Sequence, residues 1–148
     1  MERQSVSSGT VWEEQYSYSR AVRYGERIVV AGTTATGPDG EVVGRGDPAR
    51  QAEYVVDKIE RAVVELGGRL ADVVRTRIYV SDIAHWEAVA AVQGRRFAGI
   101  NPVSTLVEAR LVGEEYLVEI EVEAIVGAGG PDDKPGGPGG PEGMDDAL

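Results

Sequence analysis

Residues 117–126, "LVEIEVEAIV", alternate so regularly that they constrain the whole chain. Successive side chains of an extended strand point to opposite faces. Val118, Ile120, Val122, Ala124 and Val126 therefore share one side, and Glu119, Glu121, Glu123 and Ile125 share the other. The apolar side needs a covering layer, and the carboxylates need cations on neighbouring strands. In "DVVRTRIYV", residues 72–80, Val74, Thr76, Ile78 and Val80 take one side, while Arg75 and Arg77 alternate with Val73 and Tyr79. Glu108 and Arg110 alternate in the same way in "NPVSTLVEARL", residues 101–111. Arg opposite Glu across a sheet relieves the repulsion among like charges. A face that mixes such pairs with Tyr and Val suits a subunit interface better than full exposure.

The covering layer is also legible. In "GDPARQAEYVVDKIERAVVELGG", Asp47 is a good N-cap, Pro48 suits the first helical position, and Gly67 and Gly68 stop the helix. Ala52, Val55, Val56, Ile59, Val63 and Leu66 recur at helical spacing, with Asp57, Lys58, Glu60, Arg61 and Glu65 expected mostly on the opposite side. Ser81 or Asp82 can cap a second helix over about 83–98 that holds Trp86, Val89, Ala90 and Phe97. Two strands near 16–23 and 27–32 flank a turn at Gly25–Glu26, and a Pro-Asp-Gly turn follows in "TGPDGEVVG". Residues 101–111 and 114–127 read as two strands joined by a short turn. The order ββ-α-β-α-ββ, with a hairpin at each end, predicts an α+β sandwich: a mostly antiparallel sheet with two helices on one face.

Composition bounds the rest. The 148 residues have room for one domain, expected over 13–127 after a flexible N-terminus of residues 1–12. Residues 128–148, Gly/Pro-rich and acidic, offer almost nothing apolar to offset the entropy of ordering and read as a disordered tail. The absence of cysteine removes disulfides, thiolate metal sites and cysteine nucleophiles. No secretory signal and no apolar run of the roughly 20 residues that span a bilayer is present, so the expectation is a soluble cytoplasmic protein without membrane partners. The formal net charge of −10 repels a phosphate backbone, and Arg75, Arg77, Arg95 and Arg96 are too few to form a compensating patch, so nucleic acid is not an expected partner.

Local motifs leave the chemistry open. His85, the only histidine, cannot build a metal site alone and reads as a solvated position beside Trp86. "AGTTATGPDG" is glycine-rich but lacks phosphate-loop or dinucleotide spacing; a strand end whose backbone amides face a pocket is the better reading. Tyr16, Tyr18, Tyr24 and Trp86 suit either a small pocket or packing. The alternating glutamates are either the polar side of a sheet or the source of one carboxylate that holds water in a cleft.

Four segments in order carry more: "YSRAVRYGERIVVAGTTATGPDGEVVG", "DVVRTRIYVSDIAHWEAV", "NPVSTLVEARL" and "LVEIEVEAIV". Together, over about residues 16–127, they resemble the Rid family of reactive-intermediate deaminases, also called the YjgF family. The resemblance implies a chorismate-mutase-like fold and a homotrimer whose clefts between subunits bind small molecules. Its best-studied members hydrolyse enamines and imines to keto compounds and ammonia without metal or organic cofactor. Carried over by position, Tyr18 matches a pocket tyrosine. Ala31 and Gly32 match a strand-ending pair whose backbone lies beside the substrate. Trp86 matches an aromatic that closes the cleft from a neighbouring subunit, and Glu121 matches the glutamate that positions the attacking water. One position departs. Deaminating members have an arginine two residues after the proline of "NPVSTLVEARL", where its guanidinium clamps a substrate carboxylate. Here Ser104 stands in that place, so the chain resembles a subgroup that lacks the substrate-binding arginine, and a neutral hydroxyl does not replace a bidentate guanidinium. The implied function is hydrolysis of a small enamine or imine, with Glu121 catalytic and Tyr18, Ala31, Gly32, Trp86, Ser104 and Thr105 around the substrate. The alternative is a non-catalytic homologue that senses or sequesters a metabolite in the same cleft.

Overall fold

The computed structural model describes residues 2–131. It contains strands β1 (Arg3–Val6), β2 (Ala21–Tyr24), β3 (Arg27–Thr33), β4 (Val73–Val80), β5 (Val103–Glu108) and β6 (Val118–Ile125), with helices α1 (Val11–Gln15), α2 (Pro48–Glu65) and α3 (Trp86–Arg96). The strands form one sheet in the order β1-β2-β3-β6-β4-β5. All neighbours are antiparallel except β4 and β5, which are linked through α3 and so run parallel, as a helical crossover requires. This is the α+β, chorismate-mutase-like architecture.

The C-terminal hairpin is a correction. β5 and β6 are not neighbours; β6 lies between β3 and β4, and β5 forms the far edge. Burial explains the choice. Val118, Ile120, Val122 and Ala124 are at most 3% exposed, as a central strand under a helix layer requires. β5, by contrast, exposes Val103, Ser104, Thr105, Val107 and Glu108, and an exposed strand belongs at an edge. The charge pattern agrees with this order. Arg75 stands opposite Glu123 and Arg77 opposite Glu121 in the β4–β6 ladder, and Glu123 bridges Arg27 at 2.5 Å and Arg75 at 3.5 Å.

α2 forms as its sequence dictates. Asp47 Oδ1 accepts from the Arg50 backbone N–H at 3.1 Å, Pro48 follows, and Gly67 closes the end at φ +91°. Its stripe (Ala52, Val55, Val56, Ile59, Val63 and Leu66) is buried against the sheet. Lys58 departs from the expected polar side: it is only 8% exposed. α3 is tied to α2 by Arg96, which reaches Glu53, Asp57 and Glu60 at 3.0, 2.9 and 3.3 Å.

The N-terminus also departs from the expected flexible segment over 1–12. Arg3–Val6 pairs with β2, and α1 buries Glu13 to 4% exposure. The Glu13 carboxylate accepts from Ser7 Oγ at 2.7 Å, from the Ser8 backbone N–H at 3.0 Å, and from the Ser8 hydroxyl. It also pairs with buried Arg20 at 3.2 Å. Burial alone would raise its pKa; the bonds from Ser8 and Ser7, with Arg20, hold it below the usual carboxylate value. The strand expected from residue 16 starts only at Ala21, because Ser17 turns the chain at φ +61°. Of the tail expected over 128–148, residues 132–148 lie outside the described residues. Ahead of them, Gly127 and Gly129 donate to the buried Asp72 carboxylate at 3.2 and 2.9 Å.

Candidate functional site

The ladder between β3 and β6 is regular up to the Val30–Val122 pair, then shifts so that Thr33 meets Ile120. Ala31 and Gly32 fill this irregularity, opposite the stretch of β6 that carries Glu121. Bulges of this kind free backbone groups from the ladder and commonly lie next to functional sites. Here the freed carbonyls are held by side chains. Ala31 C=O accepts from Thr33 Oγ1 at 2.7 Å, and Gly32 C=O accepts from Arg20 Nη1 at 2.6 Å. Arg20 is thus both partner of Glu13 and support of the bulge. The Glu119 carboxylate fills the space beside Gly32: a Cβ there would lie 2.1 Å from Glu119 Oε2.

Glu121 is on the face of the sheet away from the helices. Tyr79 Oη donates to its Oε1 at 2.5 Å, and Arg77 lies 3.7 Å from Oε2. The bond to Glu121 raises the Tyr79 pKa and keeps the phenol protonated. Tyr79 therefore remains a donor that orients the carboxylate. The same face exposes Val29, Val103, Val107 and Ile125, each by more than 40%.

Glu119, one turn of the alternation away, is in a different setting. It lines a cavity of about 180 Å³ with Trp12, Tyr18, Gly32, Thr34 and Tyr116. Burial pushes its carboxyl above the usual range; Arg20 opposes the shift and Glu121 adds to it. Tyr18 is capped by the Arg20 guanidinium, 5.7 Å from the ring centroid. Tyr116 Oη accepts from Thr36 Oγ1 at 2.7 Å, which fixes the cavity's far wall. Arg20, Lys58, Tyr116 and Glu119 were not singled out from the sequence. Two of them carried a signal: Glu119 as one of the three alternating glutamates, and Lys58 three residues after Val55 and four before Ala62, on the border of the apolar stripe.

One subunit brings some of the expected site residues together and leaves others apart. Tyr18 and Gly32 share the cavity, and Ala31 and Gly32 lie opposite the Glu121 stretch. Thr105 faces the same side as Glu121 with Arg77 between them in register, roughly 10 Å away at two strand spacings. Ser104 points to the other side. It pairs with buried Thr76, whose Oγ1 donates to Ser104 Oγ at 2.7 Å. Trp86 begins α3, is 48% exposed, and does not line the cavity of Tyr18 and Gly32. Among the described residues no group of three or more His, Cys, Asp or Glu side chains is gathered as a metal site. No helix among them is long and apolar enough to cross a membrane.

Comparison with known proteins places this geometry. Residues 12–126 match the family model described as Endoribonuclease L-PSP. An uncharacterised protein of Streptomyces coelicolor is 36% identical over 124 residues, covering 83% of this chain and 92% of that protein. A RutC family protein of Pyrococcus abyssi is 32% identical over 108 residues, covering 72% and 84%. Among solved structures, a Mycobacterium tuberculosis member of the YjgF/YER057c/UK114 family is 45% identical. It covers 84% of this chain and 100% of its own, with a TM-score of 0.77.

Proposed function

Since the chain belongs to the YjgF/Rid family, we propose that it assembles as a homotrimer and hydrolyses a small enamine or imine metabolite in clefts between its subunits. The observation that carries this reading is the interrupted ladder at Ala31–Gly32, set opposite the Glu121 stretch on an uncovered sheet face. In this reading the substrate lies against the Ala31–Gly32 backbone. An enamine first takes a proton from solvent at its β-carbon to give the imine; Glu121, oriented by Tyr79, then holds water against the C=N carbon. Attack forms the C–O bond as Glu121 accepts the water proton and passes it to nitrogen. The resulting carbinolamine loses ammonia and leaves a carbonyl. Trp86, Ser104 and Thr105, remote from the bulge of their own subunit, are placed in this reading at the cleft of a neighbour.

A second reading has its own support. Serine is neutral, and its Oγ accepts from Thr76, so the position that clamps a carboxylate in deaminating relatives offers no cation here. That favours either a substrate without a carboxylate at that point or a member that binds a metabolite without turning it over. Cleavage of RNA, the activity in the family description, is poorly suited to a chain of net charge −10. Imines generated in situ from a panel of amine and amino-acid precursors separate the first two readings. Hydrolysis predicts accelerated keto-product release with at least one of them; saturable binding without acceleration of any predicts the sequestering member.

A further inference from the structure

Lys58 is a cation buried without a counter-ion. Its Nζ donates to Thr34 C=O at 3.1 Å and Thr36 C=O at 3.0 Å, and among the described residues no carboxylate pairs with it. An ammonium has three N–H donors, so the two carbonyls leave one unused. Burying a charge with no ion in direct contact is costly unless a partner of opposite sign completes the set. The residue sits where that partner has room. Lys58, Arg20 and Thr36 form the wall between the cavity of Tyr18 and Glu119 and a second one of about 240 Å³, behind the bulge between β1, the 36–38 turn and α2.

This second cavity has a cationic lining. Lys58, Arg20 and Arg61 meet there with the hydroxyls of Ser8, Thr36 and Tyr54, and Glu65 is the one carboxylate among its described lining residues. Arg20 is neutralised by Glu13, whereas among the described residues neither Lys58 nor Arg61 lies within ion-pair distance of a carboxylate. We propose that this cavity is a binding site for a small oxyanion, a phosphate or a carboxylate group, anchored by Lys58 and distinct from the cleft that faces Glu121. The anion supplies the third acceptor and the missing counter-charge in one contact. Because Arg20 belongs both to this wall and to the Gly32 carbonyl, the site is built against the back of the bulge.

The charged groups around Lys58 are Glu13 and Arg20 from the N-terminal layer, Arg61 and Glu65 from α2, and Glu119 from β6. Burial, with Arg20 next and Glu13 opposing, brings the Lys58 pKa down to about 8. The anchor therefore loses its charge in a range where acetate does not change and phosphate becomes more negative. Calorimetric titration of the full chain with sodium phosphate and, separately, sodium acetate tests the site, with sodium chloride at equal ionic strength as the reference. The expected result is one saturable site per chain for at least one oxyanion, absent in Lys58→Met and weakened about tenfold or more from pH 7 to pH 9.5. Which of the two anions binds identifies the headgroup chemistry. Saturable binding that persists in Lys58→Met, binding that is unchanged at pH 9.5 in the wild type, or no saturable binding of either anion overturns the proposal. The pH comparison uses only the wild type, so it decides even if the variant does not fold. Neither comparison depends on imine hydrolysis.

Discussion

A methyl group on Gly32 would meet Glu119 at 2.1 Å, but the atom it meets is the end of a flexible side chain. Gly32→Ala is therefore expected to fold, with stability lowered by about 1 kcal/mol or less, while imine hydrolysis falls about tenfold or more because the carboxylate is pushed into the cavity. Thermal unfolding and the keto-product assay check the two halves. Glu119 itself carries a pH signature. Its folded pKa is raised by burial, so the folded state favours the protonated form, and the group's contribution is lost as pH rises through the folded value. Glu119→Gln is expected to be more stable than wild type at pH 7, with the difference closing below about pH 4.5. Lys58 works in the opposite range. A folded pKa of about 8 against 10.5 means the unfolded chain binds more protons between those values, so its destabilising effect is relieved as pH rises from 8 to 10.5. Denaturant titrations are expected to show Lys58→Met stabilised at pH 7 by up to about 3 kcal/mol, and by less at pH 10. These three residues also mark how far sequence reading reached. Gly32 was picked out through its family position, and the structure adds that it lies in the β3 irregularity. Alternation alone made Glu119, Glu121 and Glu123 equivalent, and only the β3 bulge and the fold of residues 10–18 over one end give each a different setting. Lys58 is buried by residues 34–36, a long-range contact that helical periodicity cannot register.

At the level of elements, the two main helices, β3, β4 and β6 were legible because each buries one face at a clear period. Strand order was not. Adjacent strands separated by a short turn suggest a hairpin, yet β6 leaves β5 and inserts between β3 and β4. The reason is non-local: its apolar face needs a central place, and its glutamates need Arg27, Arg75 and Arg77 on both sides. β1 and α1 were missed because they have almost no apolar periodicity. They are held by polar contacts, with Ser7, Ser8 and Arg20 converging on Glu13. Deleting residues 1–8 is expected to remove β1 and leave Glu13 and Arg20 without the groups that complete their burial. A loss of about 3 kcal/mol or more in denaturant unfolding is expected, and a truncated chain as stable as the whole would return the segment to the role of a loose extension.

For the whole molecule, the uncovered sheet face joins three observations that one subunit does not reconcile. It carries partly buried ion pairs, exposed valines and Ile125, and the bulge opposite Glu121. In the proposed trimer the apolar groups are covered, the ion pairs set register, and Trp86, Ser104 and Thr105 come to a neighbour's bulge. Sedimentation at micromolar concentration is expected to give about three chains' mass; one chain's mass removes the trimer. The Ser104 position limits how far family chemistry extends, since a neutral hydroxyl that accepts from Thr76 stands where a guanidinium would clamp a carboxylate. The most direct test of the central claim is the rate of keto-product formation from an imine generated in situ, measured for wild type and Glu121→Gln at equal assembled mass. The account predicts acceleration by the wild type and a loss of about 100-fold or more in the variant. No acceleration over buffer across the imine panel, or an undiminished rate in Glu121→Gln, would contradict it.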